Sequence, residues 1–297
     1  DIFRFFSGIS YTLGGQTIPH DLPNNLLYTS RQPLGVVGLI TPWNFPIAIP
    51  AWKLAPALVT GNCVVIKPAS AAPALTHEIA KALIEAGLPK GALNIITGPG
   101  STAGAELATN PAVAALSFTG SQKVGATIYT QLAGRMARAQ MEMGGKNPTI
   151  VLGDADLDLA VNLVVRAGFG LTGQACTATS RVIVEKSVLQ PFLEKLSAKA
   201  AALKVGNGLT PGIDMGPAVS QEQLDGNLKY VADAIKEGAT LVTGGSALTA
   251  CRKVGFFHSS CCSPVHTRSA YDTTIRDTLM AMACAVRAGA EAAGWVL

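Results

Sequence analysis

Short apolar runs alternate with amphipathic segments along most of the chain. The run at 62–67 (NCVVIK) predicts a buried strand, and the helical spacing that follows from Ala72 predicts a helix ending by Gly87. The same pattern predicts strands at 92–97 and 115–119 and a helix that begins at Ser121. Strands that alternate with helices favour a mostly parallel sheet, so this part predicts an open α/β domain with its ligand at the carboxyl ends of the strands.

A second series of elements begins at Asn147, which places a domain boundary near 144–146. Helices are predicted from Asp156, from about Val188 and over 224–237. Predicted strands lie at 149–152 (TIVL), 181–185 (RVIVE) and 239–243 (ATLVT). The sequence therefore predicts a second α/β domain after the first.

The two ends differ from this pattern. Pro, Asn and Gly punctuate short extended stretches at 14–33, which favours a hairpin or arm. The first residues, DIFRFFSG, have neither an initiator methionine nor the features of a signal peptide, so a fragment boundary is expected there. The tail at 251–297 continues neither strands nor helices, and a disrupted or out-of-frame end is expected. Its candidate zinc ligands lack paired spacings, so no metal site is predicted: Cys251, His258, Cys261, Cys262 and His266.

Composition and charge narrow the functional class. Of the 297 residues, 48% are hydrophobic and only 14% are charged; the usual charged share is about 25%, so large buried or subunit-facing surfaces are expected. The net charge of +4 is spread without runs, which argues against nucleic acid or an anionic membrane as a partner. No apolar run approaches the roughly 20 residues of a membrane span. Four of the six cysteines crowd the last 47 residues, which is not the distribution of a disulfide framework and favours a reducing cytoplasm.

Four motifs stand in order along the chain: TPWNFP at 41–46, FTGS at 118–121, MEMGGKNP at 141–148 and GQACTATSR at 173–181. With these motifs the sequence resembles the aldehyde dehydrogenase superfamily over about residues 10–250. The resemblance implies an open Rossmann-type cofactor domain and an incomplete second α/β catalytic domain. The implied regions are an arm and remnant at 1–33, an NAD(P)-binding domain at 34–145, a partial catalytic domain at 146–250 and the tail at 251–297.

Three residues are candidates for the chemistry of aldehyde oxidation. A thiolate is a strong nucleophile for an aldehyde carbon, and Cys176 in GQAC matches that role, whereas Cys63 in an apolar strand is expected in the core. The resemblance implies that the Asn44 amide and the Cys176 N–H stabilise the oxyanion, and that Glu142 is the base that hydrolyses the thioester. Enclosure of Glu142 by Met141, Met143 and Gly144 is expected. The alternatives are an inert thiol, a turn asparagine and a strand-end carboxylate.

The resemblance also implies a dinucleotide site. Lys67 is expected at the adenosine ribose, and Ser70 stands where many NAD-preferring relatives have a glutamate, which favours NADP or use of both cofactors. Ser70 as a helix N-cap is the alternative. The expected cofactor-binding residues are Ile40, Thr41, Pro42, Trp43, Lys67, Ala69, Ser70, Gly100, Gly104, Phe118, Thr119, Gly120, Ser121, Val124, Met143 and Gly144.

The sequence allows more than one substrate, and it allows a chain with or without catalytic activity. The motifs look most like those of dehydrogenases that act on 2-oxoglutarate semialdehyde (2,5-dioxopentanoate), with succinate semialdehyde and simple aliphatic aldehydes as alternatives. Arg166 could meet a substrate carboxylate or could simply be solvated. The family's distal E-I-F-G-P glutamate is absent after Cys176, so a catalytically silent fragment that at most binds nucleotide is the second hypothesis. Transfer of the acyl group to coenzyme A is disfavoured by Glu142. A homodimer or tetramer is expected.

Overall fold

The computed structural model describes residues 1–247 and a two-residue strand at 295–296. The chain divides into two compact units, Asp1–Gly144 and Gly145–Leu297. Each unit combines helices with parallel strands and has its own buried apolar core. The predicted α/β class is therefore confirmed.

The first unit begins with a helix and a small hairpin. Helix α1 spans Ile2–Ile9, and strand β1 (Thr17–Ile18) pairs antiparallel with β2 (Leu27–Tyr28). Between the strands, Asn24 has a φ of 64°, a left-handed conformation that asparagine tolerates better than most residues. Both strands of the hairpin are exposed, so it adds no buried side chain to the core of the unit.

A five-stranded parallel sheet with covering helices forms the rest of this unit. Its elements are β3 (Val36–Ile40), α2 (Ala48–Val59), β4 (Cys63–Lys67), α3 (Pro73–Glu85), β5 (Leu93–Ile95), α4 (Ala105–Thr109), β6 (Val113–Gly120), α5 (Gln122–Gly134) and β7 (Arg138–Met143). The strand order is β5-β4-β3-β6-β7. The chain moves outward from β3 to β5 and then returns to the other side of β3, so the order reverses between β3 and β6. Ligands of open α/β sheets bind at such a reversal, beyond the carboxyl ends of the strands.

The central strand is apolar throughout because apolar layers lie on both faces of the sheet. One layer contains Leu54 of α2 and Ile66 of β4, both 0% exposed. The other contains Leu116 of β6 and Leu132 of α5. Burial of each such side chain contributes about 1.5–3 kcal/mol, and both layers therefore hold the carboxyl ends of the strands in place.

The second unit also has a mixed architecture. Its described elements are β8 (Asn147–Val151), α6 (Leu157–Phe169), β9 (Thr179–Glu185), α7 (Leu189–Ala201), α8 (Gln221–Lys236) and β10 (Trp295–Val296). Strands β8 and β9 are parallel, and β10 pairs antiparallel with β9. The Asp156 carboxylate accepts the backbone N–H groups of Asp158 and Leu159, which explains why α6 begins there. Helices α6 and α7 pack on the sheet around Phe192.

The strand predicted at 239–243 is wrong, since the structure has no strand there. A strand needs a neighbour for its backbone N–H and C=O groups, and no described strand pairs with this segment. Its apolar side chains are used differently. A Cβ added at Gly245 would lie 2.9 Å from Cδ2 of Leu241 and 3.5 Å from Cγ1 of Val231, so the segment turns back toward α8.

The expected core position of Cys63 is also wrong, because this thiol is exposed. Cys63 is the first residue of β4, where the strand enters the sheet. Burial alternates after it, with Val64 and Ile66 fully buried. Cys63 therefore lies at the amino edge of the sheet.

Candidate active site

The carboxyl edge of the five-stranded sheet brings together most of the residues predicted to bind a cofactor. Because the strands are parallel, they all end at this edge. Ile40 ends β3, Lys67 ends β4, Gly120 ends β6 and Met143 ends β7. Pairing of β6 with β7 sets Gly120 directly beside Met143. The sequence-predicted cofactor residues of three motifs thus lie along one edge.

Thr41 follows β3 at the centre of this edge. Its backbone N–H donates to the carbonyl of Lys67 at 3.2 Å. The residue is 3% exposed, and its hydroxyl has no hydrogen-bond partner among the described residues. The half-buried Pro42, Trp43 and Asn44 then form the bend that leads into α2. The bend places Asn44 four residues beyond the carboxyl end of β3, within the first unit.

Lys67 and Ser70 converge on one carbonyl. The Lys67 side chain is buried, and its Nζ donates to the carbonyl oxygens of Pro68 at 2.9 Å and Gly98 at 3.4 Å. The Ser70 hydroxyl donates to the same Gly98 oxygen at 3.3 Å. Burial lowers the pKa of Lys67 because the ammonium loses water contacts.

Ser70 does not cap the following helix, so the alternative N-cap role is wrong. Helix α3 begins at Pro73, and its N-cap position is Ala72. A proline at the first helical position starts a helix without a side-chain cap, since its missing N–H would be unpaired there in any case. The Ser70 hydroxyl is therefore directed toward the Lys67 side of the edge.

The glycines at this edge leave space that side chains would fill. A Cβ at Gly104 would lie 3.7 Å from Cε of Lys67 and 3.8 Å from Cδ1 of Ile40. Gly104 ends the segment Gly100–Gly104, which follows β5. The backbone at Gly104 therefore lies next to the Lys67 stem and the end of β3.

The start of α5 closes the other side of the edge. The Ser121 hydroxyl accepts the Val124 N–H, which caps the helix. Gly125 is buried in the first turn, and a Cβ there would lie 2.5 Å from the sulfur of Met143. A capped helix start favours anions. Together with the buried ammonium of Lys67 and the unpartnered Thr41 hydroxyl, it fits the phosphate and hydroxyl groups of a dinucleotide.

Glu142 lies in β7 beside Thr119 of β6. Its expected enclosure by methionines is not found: Glu142, Met143 and Gly144 are all exposed in their unit. The reason is that β7 is the edge strand of the sheet, and no described strand covers its outer side. Glu142 instead takes part in a polar chain.

This polar chain runs from α2 across two strands. The buried Lys53 Nζ donates to the Ser117 hydroxyl at 2.6 Å and to Oε1 of Gln140 at 3.1 Å. The Ser117 hydroxyl also donates to that Gln140 oxygen. Nε2 of Gln140 donates to Oε1 of Glu142 at 2.9 Å. Burial lowers the pKa of Lys53 to about 8, and the Glu142 carboxylate partly offsets this effect.

In the second unit, an anchored loop carries Cys176. Leu171 and Thr172 have φ values of 52° and 61°, which are unfavourable for residues with a side chain. The Thr172 hydroxyl donates to the Gly216 carbonyl at 3.0 Å. The Gln174 side chain accepts from the Val219 N–H at 2.8 Å and donates to the Pro217 carbonyl at 3.4 Å. These bonds tie the strained turn to the segment 216–219.

Cys176 itself is exposed at this loop. The Asn147 amide donates to the Cys176 carbonyl at 2.7 Å and to the Ala178 carbonyl at 3.1 Å. The backbone around the thiol is thus anchored while the sulfur stays open to solvent. Arg166 is exposed on α6 in the same unit.

Sequence reasoning missed several residues that support these groups: Lys53, Ser117, Gln140, Asn147, Thr172 and Gln174. Only Lys53 carries a clear sequence signal, because a lysine inside the apolar segment of α2 must either be buried or interrupt the helix's packed face. The others depend on which strands and loops become neighbours. None of the motifs specifies those pairings.

None of the helices in the described part of the chain is long and apolar enough to cross a membrane. Within residues 1–247 no group of three or more His, Cys, Asp or Glu side chains is arranged to hold a metal ion. The candidate zinc ligands of the sequence analysis, at 251–266, lie outside the described residues.

Known proteins match both the sequence and the fold. The model of the aldehyde dehydrogenase family matches residues 1–269. An alpha-ketoglutarate semialdehyde dehydrogenase of Haloferax volcanii is 52% identical over 247 residues, which cover 82% of this chain and 50% of that protein. A 2,5-dioxopentanoate dehydrogenase of Saccharolobus solfataricus is 45% identical over 250 residues, covering 84% and 52%.

A solved structure agrees with these matches. The 3,6-anhydro-L-galactose dehydrogenase in complex with NADP superposes with a TM-score of 0.84 at 35% identity, covering 91% of this chain and 54% of that one. The chain thus spans about half the length of the relatives that it matches. With a family model matched over residues 1–269, this chain belongs to the aldehyde dehydrogenase family.

Proposed function

We propose that this chain carries the nucleophile, the base and the dinucleotide site for oxidation of a semialdehyde to a carboxylate, with NADP or NAD as the oxidant. The observation that carries the proposal is the exposed Cys176 thiol on an anchored loop. An exposed thiol whose backbone is held on several sides is accessible and preorganised for attack. In this proposal the first unit binds the dinucleotide and the second supplies the nucleophile.

The first half of the reaction forms a bond to sulfur. The Cys176 thiolate attacks the aldehyde carbon, and the carbonyl oxygen becomes an oxyanion. We assign the Asn44 side-chain amide and the Cys176 N–H as its donors. When bound, the nicotinamide supplies the hydride acceptor. Collapse of the oxyanion then expels hydride from carbon, and the product left on Cys176 is a thioester.

The second half breaks the thioester. Glu142 takes a proton from water, and the resulting hydroxide attacks the acyl carbon. The carbon–sulfur bond then breaks and Cys176 is again a thiolate. The acid that forms and the protonated Glu142 release their protons to solvent, and the product leaves as a carboxylate. The exposure of Glu142 in its unit leaves this carboxylate accessible to water. The presence of this base disfavours coenzyme A as the acyl acceptor in this proposal, since activation of water is the role that such a base serves.

The cofactor preference that we propose is NADP, with NAD as a weaker alternative. A serine at position 70 adds no negative charge beside the buried Lys67, and both side chains face the Gly98 carbonyl. A 2′-phosphate would find an ammonium and a neutral hydroxyl there. The solved relative in complex with NADP shows that this fold accepts that cofactor.

For the substrate we propose 2-oxoglutarate semialdehyde. Support comes from the relatives with 52% and 45% identity, which are dehydrogenases of this compound. Succinate semialdehyde is the first comparison substrate, because it also carries one aldehyde and one carboxylate.

The decisive experiment measures NADP reduction with 2-oxoglutarate semialdehyde in the chain and in two cysteine variants. Cys176→Ala is expected to abolish the rate, since no other group would form the thioester. Cys63→Ala is the matched control, because Cys63 is also an exposed free thiol but lies at the amino edge of the sheet. It is expected to retain the full rate.

Two other outcomes would change the conclusion. A rate that survives Cys176→Ala would remove the proposed nucleophile. A folded chain without any rate, but with saturable binding of NADP by calorimetry, would favour the silent nucleotide-binding fragment. The specific observation behind that second candidate is the coverage of about half of each relative.

A further inference from the structure

Gln140 joins two charged groups on the sheet edge. Its carbonyl oxygen accepts from Lys53 and Ser117, and its amide nitrogen donates to Glu142. The orientation is chemically determined. A lysine ammonium has only donors, so the carbonyl must face Lys53, and the NH₂ group is left to face the carboxylate.

The pairing of β6 with β7 fixes this arrangement. Ser117 and Gln140 are direct partners across the two parallel strands. Gln140 and Glu142 are two residues apart on β7, so their side chains project from the same face of the strand. Lys53 reaches both strands from α2, which packs on the sheet. Three elements therefore determine where the Gln140 amide points.

We propose that Gln140 is a positioning residue that holds Oε1 of Glu142 and thereby directs Oε2 toward the water that hydrolyses the thioester. This inference rests on the proposed role of Glu142 as the base. The bond from Gln140 is the one hydrogen bond found for this carboxylate among residues 1–247, and it engages Oε1 alone. Oε2 is left to accept a proton.

A general base depends on such geometry. Glu142 is exposed on an edge strand, and a glutamate side chain has three rotatable bonds, so a free carboxylate would sample many directions. An anchor on one oxygen reduces that freedom without consuming the second oxygen. The Gln140 side chain, which is the anchor, is itself held by the buried ammonium of Lys53, so its rotation is restricted.

The test separates formation of the thioester from its hydrolysis. Gln140→Glu keeps the length of the side chain but removes the donor, and Gln140→Met removes both polar atoms. The first-turnover burst of NADPH measures attack and hydride loss, whereas the steady-state rate and the acyl adduct on Cys176, detected by mass spectrometry, measure hydrolysis. Both variants are expected to keep the burst and to lose hydrolysis rate by about tenfold or more, with acyl-enzyme accumulating.

The matched control is Gln190→Glu. Gln190 donates to Oε1 of Glu194 at 2.8 Å on the exposed face of α7, so the same amide–carboxylate bond is removed away from the catalytic groups. This variant is expected to keep the burst and the steady-state rate. Thermal unfolding of all variants shows whether a lost rate reflects misfolding.

Each result decides the inference. A Gln140 variant with wild-type hydrolysis would overturn it, even if Cys176→Ala confirms the nucleophile. A loss of the burst together with hydrolysis would also overturn it, because a positioning role at Glu142 leaves attack intact. If the parent chain forms no adduct at all, the proposed function fails instead. The hydrogen bond between Lys53 and Gln140 is then tested by NMR titration of ¹³C-labelled lysine, which measures the pKa of Lys53. An unchanged pKa of Lys53 in Gln140→Glu would contradict the contact between Lys53 and position 140, whereas a raised pKa would support it, because the new carboxylate stabilises the ammonium.

Discussion

Single side chains at the carboxyl edge set the cofactor preference that we propose. Ser70 and Lys67 share the Gly98 carbonyl, so a charge placed at position 70 would lie beside the lysine. Ser70→Glu is expected to lower kcat/KM for NADP by about 10- to 100-fold, because the new carboxylate repels a 2′-phosphate, and to affect NAD much less. Ser70→Ala, which adds no charge, is the control. Equal losses with both cofactors would contradict this assignment.

The buried lysine of α2 predicts a pH dependence of stability. Burial lowers the folded pKa of Lys53 from 10.5 to about 8. Between these values the unfolded chain binds more protons than the folded chain, so the free energy of unfolding rises with pH. The expected rise between pH 8 and 10 is about 1–3 kcal/mol, measured by urea unfolding.

Lys53→Met is the comparison for this slope. Methionine has a similar length and no titrating group, so the variant is expected to lose the rise with pH, although Ser117 and Gln140 also lose their donor. A slope that is equal in the two proteins would show that other groups cause it.

At the scale of elements, the turn before Cys176 stores strain that a single change can release. Leu171 is 54% exposed and has a φ of 52°, so its side chain gains little from packing. Leu171→Gly is expected to stabilise the chain by about 0.5–1 kcal/mol, since glycine adopts this conformation without a steric cost.

A matched leucine shows whether that gain comes from the backbone. Leu209 is 73% exposed and lies outside the left-handed region. Leu209→Gly is expected to destabilise the chain by about 0.5–1 kcal/mol through the greater freedom of the unfolded state. Urea unfolding measures the free energy of unfolding of both variants. A change of the same sign in both would contradict the strain assigned to Leu171.

The elements that sequence could predict are those whose stability is local. The apolar run of β4 and the serine cap of α5 both specify their structure from neighbouring residues. The segment 239–243 has the side chains of a strand but no strand to pair with, and pairing is decided elsewhere in the chain.

The same reason explains which site residues were predictable. Cys176, Asn44 and Glu142 stand in contiguous motifs, whereas the role of Gln140 depends on the β6–β7 register. Gln174 stands in the same motif as Cys176, but its contacts depend on the position of the segment 216–219, which the motif does not specify. The predicted enclosure of Glu142 failed because sequence alone did not show that β7 is an edge strand.

For the whole molecule, exposed apolar side chains of the amino-terminal hairpin favour self-association. They are Ile18, Leu22, Leu26, Leu27 and Tyr28. Such a cluster on an exposed hairpin is typical of a contact surface. Leu26→Asp is expected to weaken association by about tenfold or more in sedimentation velocity, and Leu209→Asp, at another exposed leucine, is expected to leave it unchanged. A parent chain that sediments as a monomer would exclude this contact.

Gly125 and Met143 occupy a single space between α5 and the end of β7. The sulfur of Met143 lies where a side chain at position 125 would begin, so a larger residue at 125 would have to turn the exposed methionine toward solvent. A smaller residue at position 143 would remove that requirement, and the effects of changes at the two positions should therefore not be additive. Among relatives, a larger residue at position 125 should occur most often with a smaller residue at position 143, so that the history of one position influences the history of the other.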